Sequence, residues 1–142
     1  MQIKQLSVFI ENKTGRLSTI TGMLRDNHID IRALSIADTK DFGIVRLIVT
    51  DTDKAYEVLK EANCMLKVSN VIGIGVADQP GGLAAVMDLL RDGGITVEYM
   101  YAYVSRIEDT AFVILRADNN QKAAELLQAN GVKLLSAEDV CG

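Results

Sequence analysis

The sequence predicts an α+β protein built from two copies of one βαββαβ unit. Two observations predict this fold: the chain repeats itself, and each repeat alternates short strand patterns with helical ones. Of the 142 residues, 49% are hydrophobic and 24% are charged, which is typical of a globular protein and excludes a disordered one. A chain of this length buries enough surface to fold without disulfides or metals.

The repeat is visible when residues 11–31 are set above residues 77–97. At a constant shift of 66 residues, identical side chains coincide at several positions: Gly15 with Gly81, Leu17 with Leu83, Leu24 with Leu90, Arg25 with Arg91, Asp26 with Asp92, and Ile29 with Ile95. Beyond the turn at residues 40–43 the shift becomes 68, where Lys54 meets Lys122. Because insertions accumulate in surface turns, this pattern indicates a tandem duplication.

Each copy reads strand, helix, strand, strand, helix, strand. Leu6, Val8 and Ile10 alternate as in a half-buried strand, and Leu17 and Leu24 share a face at helical spacing. In the first copy the predicted elements are strands 6–10, 29–37, 44–49 and 65–69, a helix from about residue 17 to a left-handed turn at residues 27–28, and a helix at 53–62. In the second copy they are strands 71–77, 95–105, 110–117 and 132–136 with helices 83–91 and 122–129.

That order is the ferredoxin-like arrangement, an antiparallel sheet with both helices on one face. Almost no linker separates the copies, because residues 67–70 run directly into Val71. We therefore expect two domains, residues 1–70 and 71–142, packed side by side.

Charge and the distribution of apolar residues exclude several classes of function. The net charge is −4 and no Lys/Arg cluster exceeds a pair, whereas nucleic-acid binding requires a basic face. No apolar stretch approaches the roughly 20 residues of a membrane span, and the first residues lack the pattern of a signal peptide. Cys64 and Cys141 are isolated thiols, so we expect no disulfide, metal site or cofactor, and reduced cysteines in the cytoplasm.

Catalysis is not indicated either. His28 is the only histidine, and it stands in a helix-ending turn position that Gly94 occupies in the second copy. The acidic residues are spread over predicted helix faces and turns, which is typical of a solvated surface and not of a paired carboxylate site. We therefore expect no enzymatic activity.

The candidate site is a glycine turn between the first strand and the first helix of each copy. The second copy reads Asp78-Gln79-Pro80-Gly81-Gly82-Leu83, where the Pro-Gly pair fits a type II turn. The helix that follows offers unpaired N–H groups to a carboxylate, and Asp78 offers an anion to an ammonium group, so a zwitterion fits both. The alternative is an ordinary strand-to-helix connection, since duplication copies neutral features too.

Both copies resemble ACT domains, the small regulatory modules of amino-acid-metabolising enzymes such as aspartokinase and phosphoglycerate dehydrogenase. In the second copy the matching features are the strand, the turn Asp78-x-Pro80-Gly81-x-Leu83, the helix, and Gly94-Ile95-Thr96-Val97 opening the next strand. The first copy has Asn12-x-Thr14-Gly15-x-Leu17 and His28-Ile29-Asp30-Ile31 there, with Thr14 in place of the usual proline. The joint at residues 67–75 is similar to that between the two ACT copies of aspartokinases, and the resemblance covers the whole chain.

The resemblance implies that an amino acid binds between the glycine turn of one copy and the start of the second strand of a neighbouring copy. The turn contacts would be Asn12, Gly15 and Leu17 in the first copy, or Asp78, Gln79, Pro80, Gly81, Gly82 and Leu83 in the second. The strand contacts would be Asp30 and Ile31, or Thr96 and Val97, through backbone groups. We favour the second turn, because it keeps the aspartate, the proline and the paired glycines.

Three tyrosines in the second strand of the second copy form a further candidate surface. Ile95 and Val97 suit the helix-covered face, and strict alternation would then put odd-numbered residues on that face along the whole strand. The apolar residues that follow are even-numbered instead, and we expect them to be buried as well: Met100, Ala102 and Val104. Leu34 and Ile36 repeat this change of alternation in the first copy. A β-bulge in each copy would shift the phase and turn Tyr99, Tyr101 and Tyr103 to the other face, beside Gly73, Gly75 and Ala77. There they would form an interface for a partner subunit or the rim of a ligand site. Without the bulge they are core residues.

The sequence thus predicts a stand-alone regulatory protein that binds a small amino-acid effector and forms a homodimer. Its output would pass to another protein, such as an enzyme of amino-acid metabolism. The alternative is a structural subunit without a ligand, which would act through the tyrosine face alone.

Overall fold

The computed structural model describes residues 2–38, 42–103 and 109–141. These residues form strands and helices close to the predicted ones, with ends that differ by a few residues. In chain order they are β1 (Ile3–Glu11), α1 (Arg16–Asp26), β2 (Ile31–Asp38), β3 (Phe42–Val49), α2 (Thr52–Glu61), β4 (Met65–Ala77), α3 (Gly82–Asp92), β5 (Val97–Tyr103), β6 (Thr110–Ala117), α4 (Asn120–Ala129), β7 (Lys133–Leu135) and α5 (Ala137–Cys141).

The chain divides into two compact units. The N-terminal unit comprises Lys4–Ser69 together with Cys141, and the C-terminal unit comprises Asn70–Val140 together with Gln2 and Ile3. The two strands predicted on either side of residue 70 form one continuous strand, β4, whose 13 residues contribute first to one unit and then to the other.

Each unit is a βαββαβ fold. The strand order is β2-β3-β1-β4 in the N-terminal unit and β5-β6-β4-β7 in the C-terminal unit. β3 pairs antiparallel with β1 and β2, and β6 pairs antiparallel with β4 and β5. This is the predicted α+β arrangement, with β2 and β5 as the outer strands next to β3 and β6.

The second helix of each unit begins at a capping side chain. Asp51 accepts a hydrogen bond from the backbone N–H of Lys54 at 3.1 Å, and Asn119 accepts one from Lys122 at 3.0 Å. Such caps satisfy one of the backbone donors left open at a helix start and contribute about 1 kcal/mol each.

The short helix α5 was not predicted. Ser136 and Asp139 close its first turn reciprocally: the Ser136 N–H donates to Asp139 Oδ2 at 2.8 Å, and the Asp139 N–H donates to Ser136 Oγ at 3.1 Å. This is a capping box with aspartate in place of the usual glutamate. The sequence Ser-Ala-Glu-Asp therefore carried a signal for the helix start.

The two helices of each unit cover one face of its sheet. In the N-terminal unit the core joins Leu6 and Leu47 of the sheet to Leu24 and Leu59 of the helices, and all four are at most 1% exposed. The equivalent core of the C-terminal unit contains Ile72, Ile74, Leu90, Leu115 and Leu127, also at most 1% exposed. The apolar positions that predicted the helices and strands are these core positions.

A β-bulge interrupts the outer strand of each unit at the same place. The register of β2 shifts between Ile31 and Ala33, and that of β5 shifts between Val97 and Tyr99. The predicted bulge is therefore confirmed in both copies. Arg32 and Glu98 are the inserted residues, and they occupy equivalent positions of the repeat.

The apolar residues after each bulge are more exposed than expected. Leu34, Ile36 and Met100 are 39%, 49% and 40% exposed, and Ala102 is exposed as well, so the expectation that they are buried is wrong. Residues opposite one another in paired strands lie on the same face of a sheet. Because the cross-strand partners, such as Leu47 and Leu115, lie on the helix-covered face, these four residues lie on that face too. They remain exposed because they lie on outer strands, at the margin of the cores. Val104, which was also expected to be buried, lies outside the described residues.

Candidate functional site

The second glycine turn has the predicted type II geometry. The N–H of Gly82 donates to the carbonyl of Gln79 at 3.0 Å, which closes a four-residue turn with Pro80 and Gly81 in the middle. Gly81 has φ 89° and ψ −9°, the values of the third position of a type II turn. Asp78, directly before the turn, is exposed.

The first glycine turn has the same backbone without the proline. Arg16 N–H donates to the carbonyl of Lys13 at 3.3 Å, and Gly15 has φ 86° and ψ −7°. Because Thr14 takes the place of proline with no change in the left-handed glycine, the glycine alone is sufficient for this backbone. Both helices thus begin directly after a glycine whose conformation other residues rarely adopt.

The two turns differ in what they present beside the helix start. Gly82 occupies a position where an added Cβ would overlap the carbonyl oxygen of Ala77, so only glycine fits there. The first copy has the exposed side chain of Arg16 at the equivalent position. Sequence reasoning noted the paired glycines but missed this requirement, because it depends on how closely the turn approaches the end of β4.

The charges around the two turns also differ. In the first copy Lys13 Nζ lies 2.8 Å from Glu11 Oε2, and this hydrogen bond lowers the pKa of the Glu11 carboxyl. Arg16 lowers that pKa further by charge. The second turn, residues 78–83, contains Asp78 and no basic residue. The first turn therefore carries two basic residues, Lys13 and Arg16, beside Glu11, whereas the second carries one acidic residue and no basic one.

The backbone groups of Thr96 and Asp30, which we expected to contact the ligand, make hydrogen bonds within their own units. Thr96 N–H donates to Asp118 Oδ1 at 3.2 Å, and the Asp118 N–H donates back to the Thr96 carbonyl at 3.0 Å. Asp30 and Thr50 make the same pair of bonds in the first copy, at 3.1 and 3.0 Å. The backbone N–H groups of Thr96 and Asp30, expected to be ligand contacts, already have acceptors. Val97 and Ile31, the next residues, are half-buried.

A glycine turn and a strand start of one unit lie at opposite ends of the same helix. Helix α3 has 11 residues between Gly81 and Gly93, which corresponds to a length of about 16 Å. The structure therefore brings residues 78–83 together at one end and Thr96 with Val97 beyond the other. The same separation by α1, also 11 residues long, applies to Asn12, Gly15 and Leu17 against Asp30 and Ile31.

The three tyrosines lie on the face of the sheet opposite the helices, as the bulge predicts. Tyr99, Tyr101 and Tyr103 are half-buried, and the ring of Tyr103 lies 5.4 Å from that of Phe112 between centroids. Their cross-strand partners on β6 are Arg116, Ile114 and Phe112, and the partners of those residues on β4 include Gly73 and Gly75. The predicted grouping of tyrosines with small residues on one face is confirmed.

The part of the chain that the structure describes contains no metal-binding cluster and no membrane-spanning helix. Residues 2–38, 42–103 and 109–141 contain no group of three His, Cys, Asp or Glu side chains that could hold a metal ion. None of their helices is long and apolar enough to cross a bilayer. His28 is exposed in a left-handed turn with φ 57°, where Gly94 has φ 71° in the second copy.

Two ferredoxin-like units in tandem, each with a left-handed glycine turn before its first helix, are the architecture of an ACT domain pair, a regulatory amino-acid-binding fold. The family model described as "ACT domain pair" matches residues 1–142. The chain belongs to the ACT domain pair family, which confirms the resemblance seen in its sequence.

Solved structures are similar over almost the full chain. A protein of Bacteroides thetaiotaomicron is 42% identical with a TM-score of 0.93, and the match covers 99% of this chain and 96% of that one. The regulatory subunit of aspartate kinase from Thermus thermophilus, in its ligand-free form, is 13% identical with a TM-score of 0.64, covering 90% and 92%. The corresponding subunit from Thermus flavus is 13% identical with a TM-score of 0.62, covering 89% and 90%. No curated protein is similar enough in sequence to be matched with this chain.

Proposed function

We propose that this ACT domain pair is a non-catalytic regulatory protein that binds an amino acid. The ligand lies between the glycine turn of one ACT copy and the strand start of another. The observation that carries the proposal is the type II turn at Pro80 and Gly81, with exposed Asp78 before it and the start of α3 after it. An ammonium group meets the aspartate, and a carboxylate meets the helix start.

The site requires two ACT copies because of helix length. The turn and the strand start of one unit are separated by about 16 Å of helix, which exceeds the span of an amino acid. A ligand that contacts Asp78 and Gly81 on one side therefore takes its contacts to Thr96 and Val97, or to Asp30 and Ile31, from another copy. Since the backbone N–H and carbonyl groups of Thr96 and Asp30 are both hydrogen-bonded within their own units, the ligand contacts fall to the side chains of these residues and to the neighbouring Val97 and Ile31.

The second turn is the better candidate of the two. It keeps Asp78, and Gly82 leaves the helix start without a side chain. The first turn has Asn12 instead of the aspartate and Arg16 at the helix start, and its nearest carboxylate, Glu11, is already paired with Lys13.

A thermal-shift panel with the proteinogenic amino acids at millimolar concentration tests the proposal. A ligand at about 100 times its Kd adds about 2.7 kcal/mol to the free energy of unfolding, which raises Tm by at least about 5 °C for a protein of this size. Asp78→Ala should remove the shift, and the matched variant Asn12→Ala should retain it. A flat panel with folded protein, or a shift that survives in Asp78→Ala, contradicts the assigned site.

The same proposal places the protein in the cytoplasm as a homodimer that acts on an enzyme of amino-acid metabolism. Two isolated cysteines without a metal-binding pattern support a reducing compartment. The regulatory subunits of aspartate kinase share this fold, and aspartate kinase is an example of such an enzyme.

A second candidate function is a structural subunit that has no ligand and acts through its tyrosine face. The observation that favours it is the row of Tyr99, Tyr101 and Tyr103 on the face opposite the helices. Under this candidate Tyr101→Ala disrupts the assembly while the amino-acid panel stays flat. Tyr56→Ala, on helix α2, is the matched control and should leave the assembly intact.

A further inference from the structure

The backbone of Asp78 is held at the point where the chain leaves β4 for the second glycine turn. The Asp78 N–H donates to the carbonyl of Asp109 at 2.9 Å. This bond continues the pairing of β4 with β6 by one residue beyond their last pair, Ala77 with Thr110. Because the backbone is fixed in this way, the direction of the Asp78 carboxylate is set by its side-chain torsion angles.

The equivalent side chain of the first copy, Asn12, lies beside a glycine. Asn12 and Asp78 are related by the shift of 66 residues that holds in this part of the repeat. A Cβ added to Gly43 of β3 would lie 3.1 Å from Asn12 Oδ1, which is closer than ordinary van der Waals contact. The side chain of Asn12 therefore uses space that is open because residue 43 has no side chain.

The second copy has an alanine at the place of this glycine. Ile10 pairs with Gly43 in the N-terminal unit and Val76 pairs with Ala111 in the C-terminal unit, so the glycine and the alanine are equivalent residues of the repeat. The methyl group of Ala111 thus occupies the position of the Cβ that would crowd Asn12. A carboxylate oxygen packed against that methyl group would also lose hydration without gaining a hydrogen bond.

We propose that Ala111 is a positioning residue of the amino-acid site. Its methyl group excludes the Asp78 side chain from the place that Asn12 takes in the first copy, and so directs the carboxylate away from β6, where an ammonium group can reach it. The inference rests on the proposed function and deepens it, because it names a residue outside the turn that distinguishes the second turn from the first.

The variant Ala111→Gly tests this inference by the χ1 angle of Asp78 in the full chain. Three-bond NMR couplings from Cγ to the backbone nitrogen and to the carbonyl carbon report the populations of the three staggered rotamers. Wild-type Asp78 should avoid the rotamer of Asn12, and Ala111→Gly should populate it. The converse change in the first copy, Gly43→Ala, should drive Asn12 out of that rotamer.

The second measurement is the Kd of the proteinogenic amino acid that raises Tm most in the wild-type panel, determined by isothermal titration calorimetry. The apparent Kd equals the intrinsic one divided by the fraction of molecules in the competent conformation, here those with Asp78 directed outward. A folded-back rotamer as populated as the others together halves this fraction, so we expect Ala111→Gly to raise Kd about twofold. The rise should equal the loss of the outward fraction that the couplings report, which a general loss of stability would not reproduce.

Ala102→Gly is the matched control for replacing an alanine of this sheet with glycine. Ala102 lies on β5, which is on the other side of β6 from β4, and it pairs with Val113. This variant should change neither the Kd nor the couplings of Asp78. Circular dichroism confirms that each variant is folded.

The possible failures of the inference and of the proposed function are distinguishable. Unchanged couplings of Asp78 in Ala111→Gly overturn the inference and leave the proposed function standing. Couplings that change while Kd does not, or a rise in Kd that is as large in Ala102→Gly, overturn the positioning role. A flat panel with the wild type contradicts the proposed function itself, and the binding role of Ala111 with it.

Discussion

Replacing Gly82 with alanine should destabilise the C-terminal unit more than the same change at the neighbouring Gly81. A Cβ at Gly82 overlaps the carbonyl oxygen of Ala77, the last residue of β4. A backbone oxygen cannot rotate away as a side chain can, so the turn or the first turn of α3 must move. At Gly81 an added Cβ meets nothing within 4 Å, and the cost is that of the left-handed backbone at φ 89°.

The magnitudes follow from these two causes. A left-handed non-glycine residue costs about 1–2 kcal/mol, and the reduced entropy of the unfolded chain returns about 0.4–1 kcal/mol. The net loss for Gly81→Ala is therefore about 1 kcal/mol. Overpacking costs about 1–3 kcal/mol, and we expect Gly82→Ala at the upper end, about 3 kcal/mol, because the obstacle is backbone. For a protein of this size that lowers Tm by about 6 °C or more.

Urea unfolding at 25 °C, followed by circular dichroism, measures both changes as shifts in the midpoint at constant m-value. Gly15→Ala is the control in the first copy, since its φ is 86° and an added Cβ there also meets nothing within 4 Å. It should match Gly81→Ala. If Gly82→Ala loses no more stability than these two variants, the close approach of the second turn to β4 does not constrain position 82, and the reasoning is refuted.

Further predictions concern the core, a helix start and a thiol. Leu115→Ala, at 0% exposure, should cost about 2–5 kcal/mol in urea unfolding, whereas Leu34→Ala, at 39% exposure, should cost much less. The hydrogen bond from the backbone N–H of Ser136, and after it the one from the Ser136 side chain, lower the pKa of the Asp139 carboxyl, so their contribution to stability is complete above the ordinary aspartate pKa and is lost as pH falls through the lowered one. Ser136→Ala removes only the side-chain hydrogen bond and should raise that pKa part of the way in an NMR titration. Partial burial raises the pKa of the Cys64 thiol, so iodoacetamide at neutral pH should alkylate it more slowly than in urea-unfolded protein.

The duplication explains why most of the fold was predictable. A strand or helix pattern that is ambiguous in one copy is resolved by the same pattern in the other, as at His28 and Gly94, which both adopt a left-handed turn after a helix. The bulges were predictable for the same reason, since an apolar phase shift occurs twice at equivalent positions. Helix α5 has no counterpart in the first copy, and it was missed.

The exposure of a side chain was harder to predict than its secondary structure, because exposure depends on what covers that face of the sheet. Leu34 and Ile36 alternate as core residues do, and a pattern of period 2 reports which face of the sheet they occupy. It does not report whether a helix lies above that face. Their position on the outer strand decides it, and strand order is a property of the whole unit.

The candidate site shows the same division between local and tertiary information. The type II turn follows from the Pro80-Gly81 pair alone. The requirement for glycine at position 82 follows from the approach of the turn to Ala77, and the engagement of the Thr96 N–H follows from its closeness to Asp118. Neither contact is encoded in the residues that form the motif.

Comparison of the two copies shows that the duplication retained hydrogen bonds more strictly than residue types. Asp30 and Thr50 in the first copy make the same two bonds as Thr96 and Asp118 in the second, with the aspartate and the threonine exchanged between positions. The left-handed glycines of the two turns likewise have nearly equal φ and ψ, with and without Pro80. The approach of each turn to the preceding strand differs, because Arg16 carries a Cβ where only glycine fits at position 82. A difference in amino-acid binding between the turns can therefore come from this approach as well as from the side chains, and Asp78→Ala, which leaves Gly81 and Gly82 in place, tests the contribution of the carboxylate alone.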